Sequence, residues 1–448
     1  MFSRIIIANR GEVALRVIRA CVELGIESVA VYSEADAGAR YLELADDAVC
    51  IGPGPATESY LNISRIIAAA EITNVDAVHP GYGFLAERTE FAQICEDSNI
   101  VFIGPRSDVM RKMGNKIEAR RIAKDRKVYV LPGSDDPIAS DDEAVKLAGD
   151  IGYPVMIKAA AGGGGRGMRE AHNEMSLRNM LALARSEAAK AFKDDSVYIE
   201  KVLENARHVE VQILGDNYGN VIHLGERDCS IQRRYQKLVE ETPSPGISDD
   251  TRGDIAKSAI QLARAVNYTG AGTIEFLVDG NGHYYFMEMN TRLQVEHPIT
   301  EMVTGIDIVK EQIKIAAGER LPHQQKRLRF NGVAIECRIN AENPADGFRS
   351  APGLITEFIP PGGPGVRLDT HVYSSYVVPP FYDSMIAKLI AYGPTRAATL
   401  STMRRALAEF KIEGVKTTIP FYRDLMEHRG YASGNYHTRF VDEFLGTG

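Results

Sequence analysis

Cysteine is scarce in this 448-residue chain. Cys21, Cys50, Cys95, Cys229 and Cys337 are scattered, odd in number, and form no Cys-x-x-Cys. That argues against a disulfide framework and for a reduced, cytoplasmic setting in which the thiols pack as core residues. No apolar run approaches membrane-spanning length. No Lys/Arg-rich run stands against the formal net charge of −8, so neither a membrane nor a nucleic acid is expected as a partner. The opening residues, Met1 to Asn9, read directly as a buried strand, so no signal peptide is expected. There is no Gly-Lys-Ser/Thr, which excludes a Walker loop, and no Gly-x-Gly-x-x-Gly after the first strand, which argues against a dinucleotide site there. Internal repeats and low-complexity tails are also lacking. What remains is an ordinary globular composition, 44% hydrophobic and 25% charged, in a chain long enough for two or three domains. The class this leaves is a cytoplasmic enzyme.

Residues 4–33 read as strand, helix, strand, a doubly wound α/β start. In the helix, Val13, Ala14, Val17, Ile18, Cys21 and Val22 form one apolar face, with Arg16, Arg19 and Glu23 opposite. The alternation continues through a helix near 61–71 and strands at 77–79 and 101–104. His79-Pro-Gly-Tyr-Gly-Phe-Leu85 follows a strand end, where such folds place ligand-contacting loops; a tight structural turn reads equally well.

Further on, Pro154-Val-Met-Ile-Lys158 leads into Ala-Ala-Ala-Gly162-Gly-Gly-Gly-Arg166-Gly-Met168. Glycines let backbone N–H groups approach phosphate oxygens, and the lysine adds charge. This reads as a phosphate-covering lid rather than a linker, because it lies between ordered patterns. Glu226-Arg-Asp-Cys-Ser-Ile-Gln232-Arg-Arg-Tyr-Gln-Lys237 is a dense polar cluster, either a solvated face or a site for several phosphate or carboxylate groups. A final helix is expected near 397–410.

The richest stretch runs from His283 to His297. Gly272–Asp279 and His283–Asn290 both alternate as strands, the second with Phe286, Glu288 and Asn290 on one face and Tyr285, Met287 and Met289 on the other. A turn centred on Asn281-Gly282 sets Glu275 opposite Glu288; one centred on Asp279-Gly280 pairs Glu275 with Tyr284 instead. Two opposed carboxylates call for a cation between them, and oxygen ligands with the Asn290 amide suit magnesium better than zinc. Arg292, Gln294 and Glu296 follow at once, a guanidinium, an amide and a carboxylate in one short segment.

Together with Ile7-Ala-Asn-Arg-Gly-Glu12 and Glu336-Cys-Arg-Ile-Asn-Ala-Glu342, these motifs make the chain resemble biotin carboxylase, an ATP-grasp enzyme and component of acetyl-CoA carboxylase, over nearly its whole length. The resemblance implies α/β and α+β domains: a Rossmann-like pre-ATP-grasp domain at 1–114, an ATP-grasp domain at 115–330 with a mobile glycine-rich lid at about 131–203, and a C-terminal domain at 331–448. It implies ATP, magnesium or manganese, bicarbonate, and biotin carried on a separate carrier protein. Lys116, Lys158, Gly162, Gly163, Gly164, Gly165, Arg166 and Gly167 would hold the ATP phosphates, with Met168 also in the ATP site. Glu200, Lys201 and Leu203 would line the adenine pocket, with His208 and Gln232 at the nucleotide. Glu275, Glu288 and Asn290 would bind metal. Lys237, Arg292, Gln294 and Val295 would hold bicarbonate, Glu296 would act as general base, and Arg338 with Tyr82 would serve biotin, the arginine stabilising its enolate oxygen. With no Met-Lys-Met biotinyl site, the chain is expected to be a free-standing subunit, a homodimer working with carrier and carboxyltransferase subunits. It departs from the family's habit at Tyr235, where histidine is frequent, at Asn115, where aspartate is frequent, at Ala160-Ala161, where Ser-Gly is common, and at Pro364, where an aromatic often sits in the dimer interface. Arg19, Glu23 and Arg367 of that interface are retained. The rival readings are another ATP-grasp ligase, a non-catalytic nucleotide-binding subunit, and the carboxylase subunit of a propionyl-CoA, methylcrotonyl-CoA or pyruvate system.

Overall fold

The computed structural model describes residues 1–160, 168–192 and 194–446. The chain begins with a parallel sheet of Arg4–Ile7 (β1), Glu27–Tyr32 (β2), Asp47–Cys50 (β3), Ala77–His79 (β4) and Val101–Phe102 (β5), in the order β3-β2-β1-β4-β5. Helices Gly11–Leu24 (α1), Ile63–Ile72 (α2) and Thr89–Asp97 (α3) connect the strands. Ile5, Ile6 and Ile7 are all fully buried, which is why β1 is an unbroken apolar run and not an alternating one.

Helix α1 corrects the expectation of a single apolar face. Val22 is 61% exposed, whereas Arg16 is buried. The arginine sits inside because its charge is met there: its Nη2 donates to Glu301 at 2.8 Å and to Asp307 at 2.6 Å.

Helices Ser107–Gly114 (α4) and Lys116–Asp125 (α5) lead out of this unit, and Asp141–Ile151 (α6) follows. Asn115 caps α5, accepting from the N–H of Ile117 and of Glu118, the service an aspartate would give. Strands Val155–Ala159 (β6), Arg169–Ala171 (β7) and Val197–Lys201 (β8) form a small sheet under helix Glu174–Phe192 (α7), with a core of its own around Ile157, Leu177, Leu181 and Ile199.

The main body is one antiparallel sheet. Strands Arg207–Gly215 (β9), Val221–Arg233 (β10), Gln236–Thr242 (β11), Gly270–Val278 (β12), Tyr284–Asn290 (β13) and Val333–Asn340 (β14) run in the order β13-β12-β9-β10-β11-β14. The strands Met385–Gly393 and Val366–Thr370 extend it beyond β14. One sheet therefore contains strands from both sides of residues 330–331. Helices Asp249–Ala265 (α8), His297–Thr304 (α9) and Ile308–Ala316 (α10) pack around it. The helix Arg396–Glu409 is not the last, as expected from sequence: three short helices follow, too brief to show a period, with Leu425, Tyr431 and Val441 driven into the core.

The β12–β13 hairpin reaches the anticipated register by a different route. Val278 faces Tyr284, and the Asp279 N–H donates to the His283 carbonyl at 2.9 Å, so Gly280-Asn281-Gly282 is the loop. A bulge at Met287 then adds one residue, and Glu275 lies opposite Glu288 after all. The bulge also flips the faces. Phe286 points into the core with Met289 and Phe276, not toward Glu288 and Asn290. Phe286→Ala should therefore cost about 3–5 kcal/mol of stability, read as the midpoint shift in urea unfolding, with nucleotide affinity little changed. A loss of affinity without loss of stability would contradict the bulge.

Candidate active site

The register of the large sheet lines up charges. Arg227 on β10 pairs with Glu210 on β9, Glu210 with Glu275 on β12, and Glu275 with Glu288 on β13. Three carboxylates thus stand in one cross-strand row. Like charges at such spacing repel by about 3 kcal/mol per pair at an effective dielectric of about 20. Three cations meet them. Arg227, fully buried, donates Nε to Glu210 at 2.6 Å and spends its other N–H groups on Gln212, Thr300 and Thr273. Lys116 reaches Glu288 at 3.0 Å. Lys237, arriving from β11, contacts Glu210 at 2.5 Å, Glu275 at 2.9 Å and Glu296 at 2.7 Å.

Glu296 is the N-terminal cap residue of α9 and is fully buried. Its second oxygen accepts from Arg338 Nη2 at 2.9 Å. Burial alone would raise its pKa, but Lys237, Arg338 and Arg227 hold it well below the usual carboxylate range. The same contest leaves Glu275 far below that range, through Lys237 and His208. Arg338 is itself held by Glu240, to which its Nε donates at 2.6 Å.

Between these elements lies a cavity of about 1380 Å³. It brings together most of the residues singled out from sequence. Lys116, Lys158, Met168, Glu200, Lys201, Leu203, His208 and Gln232 line one end; Lys237, Glu275, Glu288, Asn290, Arg292, Gln294 and Val295 the middle; Arg338 and Tyr82 the other. Glu296 lies beneath the wall and not on it. Of the glycine loop, Gly162, Gly163, Gly164, Gly165, Arg166 and Gly167 lie outside the described residues. Lys158 and Arg120 both pair with Glu200, and Arg292 Nε donates to Glu87 at 2.9 Å. The Asn9 amide donates to the carbonyls of Pro80 and Tyr82, which fixes the Tyr82 loop. Tyr235 forms the β10–β11 turn with Arg234, both at positive φ, and lines the cavity with Glu170 and Arg439.

The donors around Glu275 and Glu288 fit a hard dication. They are carboxylate oxygens on adjacent strands and Glu275 is held well below the usual carboxylate range; His208, Lys237, Asn290 and Gln294 take up the Glu275 oxygens in this structure. Asn290 is closer to a bridge, its Nδ2 donating to Glu275 at 2.9 Å and its Oδ1 accepting from Arg292 at 3.0 Å.

Sequence reasoning missed Glu210, Arg227, Glu240 and Glu87. Glu210 had a signal, since it alternates with His208 and Gln212 on one strand face. Arg227 lay inside the flagged polar cluster. Glu87 carried none, because its partner Arg292 is far away in the chain.

A small three-stranded sheet, followed in the chain by an antiparallel sheet that carries opposed acids and converging lysines, defines an ATP-grasp ligase. Residues 115–324 match the ATP-binding domain of the carbamoyl-phosphate synthase L chain, residues 1–110 the biotin carboxylase N-terminal domain and residues 336–443 its C-terminal domain. The chain is 56% identical over 445 residues to biotin carboxylase 1 of Bacillus subtilis, covering 99% of each. It is similar, at TM-score 0.97 and 50% identity over 99% of each chain, to the crystal structure of a biotin carboxylase–βγ-ATP complex from Campylobacter jejuni. A TM-score of 0.97 at 48% identity, over all of this chain and 98% of the other, relates it to the biotin carboxylase domain dimer of Hydrogenobacter thermophilus 2-oxoglutarate carboxylase, a complex with MgADP, ADP and bicarbonate. The chain belongs to the biotin carboxylase family. Among the described residues no helix is long and apolar enough to cross a membrane.

Removing Lys237 would leave three acids facing one another. Lys237→Met should lower stability at pH 7 by roughly 3 kcal/mol. Because Glu275 and Glu296 are depressed, their pairing contributes stability above the ordinary carboxylate pKa of about 4.3, and that is lost as pH falls through their lowered values. The gap between wild type and variant should therefore hold down to about pH 5 and narrow below the ordinary carboxylate pKa of about 4.3, as urea unfolding at pH 7 and about pH 3 would show. A constant gap would contradict the electrostatic account.

Proposed function

We propose that the chain uses ATP to phosphorylate bicarbonate and passes the carboxyl group from carboxyphosphate to the N1′ nitrogen of biotin on a carrier protein. The observation that carries this reading is Glu296, a dry carboxylate clasped between Lys237 and Arg338 at the end of the segment that begins with Glu288. Lys116 and Lys158 contact the phosphates, Glu200, Lys201 and Leu203 the adenine, and Met168, His208 and Gln232 the nucleotide. Glu275 and Glu288, assisted by Asn290, hold magnesium, which when bound offsets charge along the phosphate chain. Lys237, Arg292, Gln294 and the Val295 backbone take bicarbonate, the arginine through paired charge-assisted hydrogen bonds.

While Lys237 and Arg338 both pair with Glu296 and no substrate anion shares them, its proton affinity is too low for a base. Bicarbonate brings negative charge to Lys237 and Arg292, which then share their charge. The proton affinity of Glu296 rises as the bicarbonate proton has to be taken up. Arg338, which lines the cavity with Tyr82, next stabilises the enolate oxygen of biotin as phosphate leaves carboxyphosphate and takes the N1′ proton, and N1′ bonds to the released carboxyl carbon.

ADP release should be stimulated by bicarbonate and by excess free biotin. Glu296→Gln should lower turnover at least about a hundredfold while leaving ATP affinity within a few-fold. Equal loss of ATP binding would sink the general-base assignment and point to a structural role.

The carrier, and the carboxyltransferase of an acetyl-CoA carboxylase, are the proposed partners. Their co-purification with the chain tests the assignment; recovery of a pyruvate, propionyl-CoA or methylcrotonyl-CoA system would redirect it. A homodimer is proposed through the face of α1 that carries Arg19, Glu23 and the exposed Val22. The 2-oxoglutarate carboxylase domain is described as a dimer. Val22→Asp should shift the mass in light scattering from two chains toward one.

A further inference from the structure

Beside Arg338 the sheet carries a second acid row that the reaction, as described, does not use. Glu240 on β11 stands directly opposite Glu336 on β14, and both are fully buried. Arg338 occupies only one Glu240 oxygen, through Nε at 2.6 Å and Nη2 at 2.5 Å. The other Glu240 oxygen and both Glu336 oxygens have no hydrogen-bond partner among the described residues. Ionised carboxylates are acceptors only, so this row holds three unmatched acceptors and lacks a donor.

We propose that Glu240 and Glu336 share one proton, the Glu336 O–H donating to the free Glu240 oxygen, and that this singly charged pair is the positioning group that fixes Arg338 against Glu296. Two opposed carboxyls in a dry interior cannot both ionise cheaply. Among the described residues no further cation is free to neutralise a second charge. Arg338 is divided between Glu240 and Glu296. Lys388, cross-strand from Arg338, is committed to Glu12 at 3.1 Å and to the Val295 carbonyl at 3.0 Å, with Asp369 at 4.0 Å. Arg367 and Arg16, beyond it, serve Asp369 and Glu301. The charged groups facing the pair are thus Arg338 from β14, Lys237 from β11, Lys388 from the next strand, and Glu296 from the start of α9; Lys237 is committed to Glu210, Glu275 and Glu296. Burial, joined by Glu240 and Glu296 and opposed by Lys388 and Arg338, pushes Glu336 well above the carboxyl range. Burial likewise raises Glu240 to about 7. Both shifts favour the protonated form in the folded protein, so what the shared proton contributes is lost as pH rises.

The consequence for catalysis rests on Arg338 facing biotin, whereas the proton itself can be observed without that assumption. In infrared spectra at neutral pH, the difference between wild type and Glu336→Gln should contain a protonated-carboxyl band. Absence of that band overturns the proposal. In the wild type the biotin KM should climb on the alkaline side, by up to about tenfold per pH unit, the limit for loss of one proton, with the ATP KM unmoved. In Glu336→Gln, whose amide donates without a proton to lose, that climb should flatten. An unchanged alkaline climb in the variant overturns the positioning role, and a merely structural part for Glu336 would not move the profile. If the variant does not fold, the wild type alone decides: the infrared band must bleach in step with the rise in biotin KM, and a band that titrates apart from it overturns the proposal. Loss of all biotin dependence with the band intact would instead strike the functional reading.

Discussion

Everything in the site depends on Lys237 standing among carboxylates that the sheet forces together. β-Register is indifferent to charge: once the apolar faces of β9, β12 and β13 are committed to the core around Ile274, Phe276 and Met289, Glu210, Glu275 and Glu288 have to fall in one row. Burial of that row is tolerable only because cations enter it from other elements. Arg227 comes from β10, Lys116 from α5 and Lys237 from β11. The site is thus assembled by tertiary structure, and its charges fix where those elements must sit.

This also shows what the sequence could and could not disclose. Alternation on β12 and β13 sets Glu275 opposite Glu288 only with a two-residue turn at Asn281-Gly282, and the structure reaches that pairing through a longer loop and a compensating bulge at Met287 that alternation does not reveal. A period of two cannot reveal an inserted residue, so Phe286 was set on the wrong face. Arg16 was misplaced for a related reason. Its burial depends on Glu301 and Asp307, which lie far off in the chain and have no periodicity linking them to α1. Residues in dense motifs, such as Arg292 and Glu296, were legible because several functional groups share one short segment. Glu87 and Glu240, which hold Arg292 and Arg338 from a distance, were not.

The continuity of the large sheet matters for how the two ends of the cavity communicate. β11, which delivers Lys237 to the cavity, is hydrogen-bonded directly to β14, which delivers Arg338 to it. Glu296 contacts both cations. A change in the charge shared at Lys237 is felt at Arg338 through a single carboxylate, with no mobile element required between them.

Among the described residues, the cations assigned to the phosphates, bicarbonate and biotin share one further property: each is already engaged by an internal carboxylate. Lys116 faces Glu288, Lys158 faces Glu200, Arg292 faces Glu87, and Lys237 and Arg338 face Glu296. On the roles proposed above, an arriving anion exchanges places with a carboxylate instead of filling an uncompensated positive hole. The cost of burying the cation has been met on folding, and binding strength becomes a difference between two anions. The exchange also releases acids where they are needed. Phosphate at Lys116 frees Glu288 for metal, and bicarbonate at Lys237 loosens the hold on Glu296 as a base is required. Binding and activation then follow from the same displacement, because the groups that neutralise the resting site are the ones that act in the loaded one.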